Sequence, residues 1–269
     1  MLILTAMKQT LQAERSVRSG DWSWRNLLQA REVSGKNLPI IGFGRIGRHL
    51  ARLAGAFGMQ VRACASFFAD TGWPGGRVEP VADLLEGLSW ADAVSINVPR
   101  ADRPLIGERA FAAMRRNAVL VNTARGEIVD GEALPAAITS GTIAGAGLDV
   151  LDGEPPATTS PLPALANVAL TPRIASLTAE SAERMAACPV QNVLDFYNGK
   201  IGPDLVVDRD QMSPEKVACG SWLLSFKTRR NTQICQLASA VLGLQGCVTV
   251  GMRGAFSFCS FAASETNSA

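Results

Sequence analysis

Three glycines at fixed spacing and a few charged side chains give this chain its means of doing chemistry. Gly42, Gly44 and Gly47 fill the three positions of G-x-G-x-x-G. In that pattern the first glycine permits a sharp turn and the second lets a pyrophosphate approach the backbone. The third lets the following helix pack close to the preceding strand. Free N–H groups and the positive end of the helix dipole then face the phosphates. The charged set is Arg125, Asp149, Glu154 and Arg173, with Thr123 beside it. The chain holds one histidine, His49, in 269 residues, so few groups can carry a proton at neutral pH.

With 25 glycines in the chain, the spacing alone is weak, and the surrounding elements strengthen it. Residues 38–41 form an apolar run that reads as a short buried strand. A helix follows with Ile46, Leu50, Leu53 and Phe57 on one face. A second, mostly apolar run at 60–65 completes a βαβ unit. Pro39 fits best as a strand's first residue, because it lacks a ladder donor. Further strands are expected at 92–98, 118–122, 144–150 and 167–171. Helices are expected at 1–18, 81–88, 107–115, 130–139 and 176–197, and residues 70–80 read as a Gly- and Pro-rich loop. Asp130 is placed to cap the fourth of these helices, in which Pro135 sits uncomfortably, and Pro189 should kink the last.

This alternation predicts an α/β fold, a doubly wound parallel sheet of the Rossmann kind. Such sheets bind ligands outside the carboxyl ends of their strands. Thr123, Arg125, Asp149, Glu154 and Arg173 all fall at or just past strand ends, so the fold would gather them around one crevice.

Composition narrows the alternatives. A chain of 269 residues, 47% hydrophobic and with net charge +2, suits a soluble protein of one or two domains. That balance gives no electrostatic footprint for nucleic acid or an anionic membrane. No uncharged apolar run is long enough to cross a bilayer, and residues 1–7 lack the marks of a signal peptide, so a cytoplasmic location is expected. The six cysteines form no C-x-x-C pair and read as reduced thiols, with no metal site.

The chain resembles the D-isomer-specific 2-hydroxyacid dehydrogenases, the D-3-phosphoglycerate dehydrogenase-like branch in particular. Ile41-Gly42-Phe43-Gly44-Arg45-Ile46-Gly47, Leu120-Val121-Asn122-Thr123-Ala124-Arg125-Gly126 and Ala146-Gly147-Leu148-Asp149-Val150 carry the likeness. Glu154-Pro155 and Asn167-Val168-Ala169-Leu170-Thr171-Pro172 add to it. The resemblance covers residues 1–208 and implies three parts. Residues 1–36 would be a lead-in helix and turn, a remnant of the connection to a substrate lobe. Residues 37–208 would be the NAD(P)-binding domain, and 209–269 an irregular extension that resembles nothing in the family.

The same resemblance implies NAD as cofactor, with NADP left open, a 2-hydroxy or 2-oxo acid as substrate, and a homodimer. Gly42, Gly44, Arg45, Ile46 and Gly47 would hold the pyrophosphate, and Val98 and Pro99 would border the nicotinamide side. Thr123, Ala124 and Arg125 would follow a strand that touches cofactor and substrate. Arg125 would grip the substrate carboxylate, a task suited to a planar guanidinium. Asp149 would bind the nicotinamide amide and Glu154 would orient the catalytic histidine. The alternatives are a solvated surface arginine at 125, a strand-end cap at 149 and no special role at 154.

The chain departs from the family in three places. The family's Thr-Pro-His stands here as Thr171-Pro172-Arg173. Arginine has no acceptor and keeps its proton, so Arg173 would attract an anion but not act as a base. An ion pair between Glu154 and Arg173 is expected, with turnover weak or absent. His49, early in the helix after the glycines, is expected to be an ordinary helix histidine. The acidic residue that usually binds the adenosine ribose is replaced by Ala65 and Ser66, and Asp70 comes late. Finally, residues 1–36 leave no room for the family's substrate-binding lobe, so the chain reads as truncated. A non-catalytic dinucleotide-sensing or partner-binding module is the alternative function.

Overall fold

A computed structural model describes residues 1–64, 73, 78–99, 101–155, 159–202 and 205–206. The positions at 65, 66 and 70 and the extension from 209 lie outside the described residues. Two units divide the chain, Met1–Ala182 and Glu183–Ala269.

The first unit is built on a seven-stranded sheet: β1 (Asn37–Ile41), β2 (Gln60–Cys64), β3 (Glu79–Val81), β4 (Ala93–Ile96), β5 (Val119–Asn122), β6 (Gly145–Leu148) and β7 (Val168–Leu170). The strand order is β3-β2-β1-β4-β5-β6-β7 and every ladder is parallel. Every residue of β4, β5 and β6 is buried, as strands covered on both faces must be. Helices α1 (Leu2–Lys8), α2 (Thr10–Arg18), α3 (Arg45–Ala56), α4 (Leu84–Trp90), α5 (Glu108–Ala113) and α6 (Ala133–Thr139) belong to the same unit, and α7 (Ala179–Tyr197) starts in it and runs on into the second. On one face Met7 of α1 and Ala51 and Ala54 of α3 pack with Leu38 and Ile40. On the other, Leu88, Phe111, Leu134 and Ile138 pack with Ile41, Val94, Ile96 and Leu120. The doubly wound sheet expected from the sequence is the fold observed.

Several local expectations need correction. Residues 1–18 are two helices, because Gln9 takes a left-handed conformation with φ of 51° and closes the first. Helix α1 belongs to the core: Met7 is fully buried, and a side chain on Gly147 of β6 would meet Leu2 Cβ at 3.1 Å. Strand β3 falls at the end of what reads as loop, with Pro80 tolerated because the strand is at the edge. Helix α4 starts at Leu84, where Asp83 accepts the Glu86 N–H at 2.8 Å. Pro39 lies in the middle of β1, and pairing with β4 begins only at Ile40.

Helix α3 turns a different face inward from the one expected. Its buried residues are Gly47, Ala51 and Ala54, while Ile46 is 72% exposed and Leu53 and Phe57 also face outward. Only Leu50 of the expected stripe packs against the core. Small residues win because the helix lies so close to the sheet. Pro135 proves harmless: it sits in the first turn of α6, where its missing N–H has no intrahelical acceptor. Asp130 Oδ1 accepts the Glu132 and Ala133 N–H groups there, as its position suggested. Helix α7 starts three residues later than expected. Thr178 Oγ1 accepts the Ser181 N–H at 3.1 Å and Ser181 Oγ the Thr178 N–H at 2.9 Å, and Pro189 lies inside the helix.

Candidate functional site

The order of the sheet reverses between β1 and β4, which is where open α/β sheets form their ligand crevice. Gly42 leaves β1 with φ of +92°, and a Cβ there would lie 2.6 Å from Asn97 O and 2.9 Å from Val98 Cγ1. The glycine is thus required both by its backbone and by the loop after β4. At Gly47 a Cβ would sit 2.3 Å from Gly42 O, so this residue sets the contact between α3 and the turn. Gly44 differs: it is exposed and a Cβ would meet nothing within 4 Å. Helix α3 begins beside it with no side-chain cap and no acidic residue in its first turn. Open backbone, uncapped N–H groups and a positive dipole end fit a pyrophosphate. Arg45 and Ile46 are exposed at the same place, and Phe43 is buried and stacked on Trp73, with ring centroids 5.2 Å apart.

The loops after β4 and β5 form the next part of the rim. Val98 is half-buried and Pro99 exposed. After β5, Asn122 is 1% exposed, and its side chain holds the loop in shape. Its Oδ1 accepts the Ala124 N–H at 3.0 Å and its Nδ2 donates to Arg125 O at 2.8 Å. Thr123 and Ala124 are half-buried in this loop. Arg125 is exposed, with Nη1 donating to Ala124 O at 2.7 Å. At Gly126 a Cβ would fall 2.0 Å from Leu151 C and O, so the loop after β5 rests directly on the chain leaving β6.

Beyond β6, Asp149 is 4% exposed and accepts three hydrogen bonds. Oδ1 takes the Thr171 hydroxyl at 2.5 Å and the Ile174 N–H at 2.8 Å, and Oδ2 takes the Ala175 N–H at 2.9 Å. The carboxylate thus ties the segment that follows β7 to the end of β6. Arg173, with φ of 58°, sits inside the segment so held. Its Nη1 donates to Glu154 Oε2 at 3.0 Å and to Oε1 at 3.1 Å, which is the ion pair expected from the sequence. Glu154 Oε1 also accepts the Leu151 N–H at 3.2 Å.

The structure thus joins Arg125 to the Glu154–Arg173 pair through Gly126 and Leu151, and places the glycine turn at the β1–β4 reversal. Two residues that hold the site escaped the sequence reading as site residues, Asn122 and Thr171. A buried polar residue at a strand's last position was the available signal for Asn122. His49 is exposed on α3. At the end of β2, burial pushes the Cys64 thiol up to about 11, and Glu86 and Asp83 add to the shift. A cavity of about 1030 Å³ opens beside α3 and β2, lined by Arg48, Arg52, Met59, Arg62 and Trp90 among others, but not by Arg125, Glu154 or Arg173. Among the described residues no cluster of His, Cys, Asp or Glu is arranged to hold a metal, and no helix is long and apolar enough to cross a membrane.

Fold and site together define a Rossmann-type dinucleotide-binding domain. Comparison with known proteins gives its lineage: residues 1–175 match the D-isomer specific 2-hydroxyacid dehydrogenase, NAD binding domain family. The chain belongs to that family, and NAD is the cofactor of its domain. It is 40% identical over 212 residues to a glyoxylate reductase of Korarchaeum cryptofilum, covering 76% of this chain and 63% of that one. Among solved structures, the TT0316 protein of Thermus thermophilus superposes with a TM-score of 0.66 at 37% identity, over 75% of this chain and 64% of that one. The D-lactate dehydrogenase of Lactobacillus jensenii with NAD+ superposes with a TM-score of 0.65 at 29% identity, over 74% and 64% respectively. The chain spans 63% of the length of its curated relative.

Proposed function

We propose that this chain binds NAD(H) on the glycine turn and holds a 2-hydroxy or 2-oxo acid beside it, yet transfers hydride poorly or not at all. The observation that carries the proposal is the contact of Arg173 Nη1 with both Glu154 oxygens, at 3.0 and 3.1 Å. NAD, when bound, supplies a nicotinamide carbon that takes or gives a hydride. The chain's own tasks are to place the acid and to move the hydroxyl proton.

For placement, the backbone of Gly42, Gly44, Arg45, Ile46 and Gly47 would hold the pyrophosphate. Val98, Pro99, Thr123 and Ala124 would border the nicotinamide. Asp149 keeps one acceptor position on Oδ2 beyond its three bonds, enough for a carboxamide N–H. The exposed guanidinium of Arg125 would take the substrate carboxylate. Among the described residues of this site the proton has no comparable carrier. Arg173 lacks an acceptor, and Glu154 is engaged with it. Arg173 would stabilise negative charge on the substrate and leave the proton where it is.

The glyoxylate reductases among the relatives support a short 2-oxo acid, and 3-phosphohydroxypyruvate is the larger candidate from the phosphoglycerate branch. The absence of a carboxylate at Ala65 and Ser66 supports tolerance of NADP. A homodimer in the cytoplasm completes the proposal. Binding without chemistry is equally what a dinucleotide-sensing or partner-binding module needs, and the same ion pair favours that second reading.

The test is an NADH fluorescence titration together with steady-state reduction of glyoxylate and hydroxypyruvate, by the chain and by Arg173→His. Saturable NADH binding is expected for both, with turnover confined to the variant. No saturation at millimolar NADH removes the binding half. Equal turnover by the two proteins removes the catalytic half.

A further inference from the structure

We infer that Asp149 is the positioning residue that sets where the side chain at 173 meets Glu154. This rests on the reading above that 154 and 173 occupy the acid–base position. Asp149 is 4% exposed and ends β6, so its carboxylate is fixed by the sheet. It holds residue 171 by the hydroxyl of Thr171 on one side of position 173. It holds residues 174 and 175 by their backbone N–H groups on the other, at 2.8 and 2.9 Å. Between these anchors Arg173 takes φ of 58°, a conformation that a side chain other than glycine adopts only when its surroundings impose it. The chain then runs from Asp149 through Leu151 to Glu154, and Leu151 N–H in turn binds Glu154 Oε1 at 3.2 Å. One buried carboxylate therefore fixes the backbone on both sides of residue 173 through its three hydrogen bonds, while Glu154 follows a few residues further along the same chain. The arrangement acts on the backbone, so it serves any side chain at 173, arginine or histidine.

The experiment uses the chain's low histidine count. Arg173→His introduces an imidazole whose only companion is His49, so each ring can be titrated separately by NMR. Glu154 should raise the new imidazole's pKa, and adding Glu154→Gln measures by how much. That difference is measured again with Asp149→Asn present. The direct effect of Asp149's charge on the ring cancels between the two differences. The expected result is a Glu154 effect at least halved when Asp149→Asn is present, with the His49 titration unmoved. An undiminished Glu154 effect overturns the inference. Should Asp149→Asn fail to fold, Thr171→Val removes one of the three anchors at nearly constant volume, and the same comparison decides: a diminished effect supports the inference and an unchanged one overturns it. The titrations need neither cofactor nor turnover, so their outcome is independent of whether the chain binds NADH or reduces an oxo acid.

Discussion

Arg173 Nη1 lies 3.0 Å from one carboxylate oxygen of Glu154 and 3.1 Å from the other. The side chains are 50% and 37% exposed, so solvent screens the pair and its net stabilisation is on the order of 0.2–1 kcal/mol. On the proposed function its chemical consequence is larger than its energy, because a fixed cation then stands where a proton carrier is needed. Introducing an imidazole by Arg173→His is expected to raise the turnover number by about 10²–10⁴-fold, the usual worth of a general acid–base group. Steady-state kinetics on a 2-oxo acid measure it, and a gain below this range would mean that other parts of the apparatus are also missing.

The three glycines should respond differently to alanine. Gly44→Ala meets nothing within 4 Å, so the fold should tolerate it while NADH binding weakens. Gly47→Ala would place a methyl 2.3 Å from Gly42 O and force α3 away from the turn, with a loss of stability of about 1–3 kcal/mol. Urea unfolding beside NADH titration separates the two effects. Equal destabilisation by both substitutions would contradict the assignment of Gly44 to the ligand.

Met7 tests whether the first helix is part of the core. It is fully buried against the sheet, so Met7→Ala should cost about 2–5 kcal/mol. A change in the urea midpoint worth less than about 1 kcal/mol would show that α1 is dispensable, since burial of that extent cannot be lost so cheaply.

Cys64 predicts a direction for alkaline stability. Its thiol is raised from an ordinary value of 9.0 to about 11 in the folded chain, chiefly by burial. Below pH 9.0 both states are protonated there and the contribution is fully present. As the pH climbs from about 9 towards about 11 the unfolded chain loses the proton first, so stability falls. Cys64→Ala should flatten that fall, as read from urea midpoints across the alkaline range. Identical slopes for both proteins would contradict the shift.

Much of the site was legible because its signals are local. The glycine turn, the strand ends and the arginine at 173 are each written within a few residues. What escaped depended on contacts between distant segments. Asn122 becomes a loop clamp only once Ala124 and Arg125 fold back onto it. Asp149 becomes an anchor because residues 171 to 175 arrive beside it across β7. The inward face of α3 differs from the periodicity for a similar reason. Residue size decided the outcome there: the buried residues Gly47, Ala51 and Ala54 are small enough for a helix seated so near β1.

By itself, then, the amino-acid order determined the alternation of strands and helices, the glycine turn after β1 and an arginine, which keeps its proton, at 173, since periodicity, turn chemistry and side-chain protonation are properties of short stretches. Tertiary structure alone decided that α1 lies on the sheet, that Pro39 is accommodated inside β1 and that Asp149 holds the loop around Arg173. Each of those depends on groups brought together from far along the chain, where packing distance and hydrogen-bond geometry, rather than local preference, choose the arrangement.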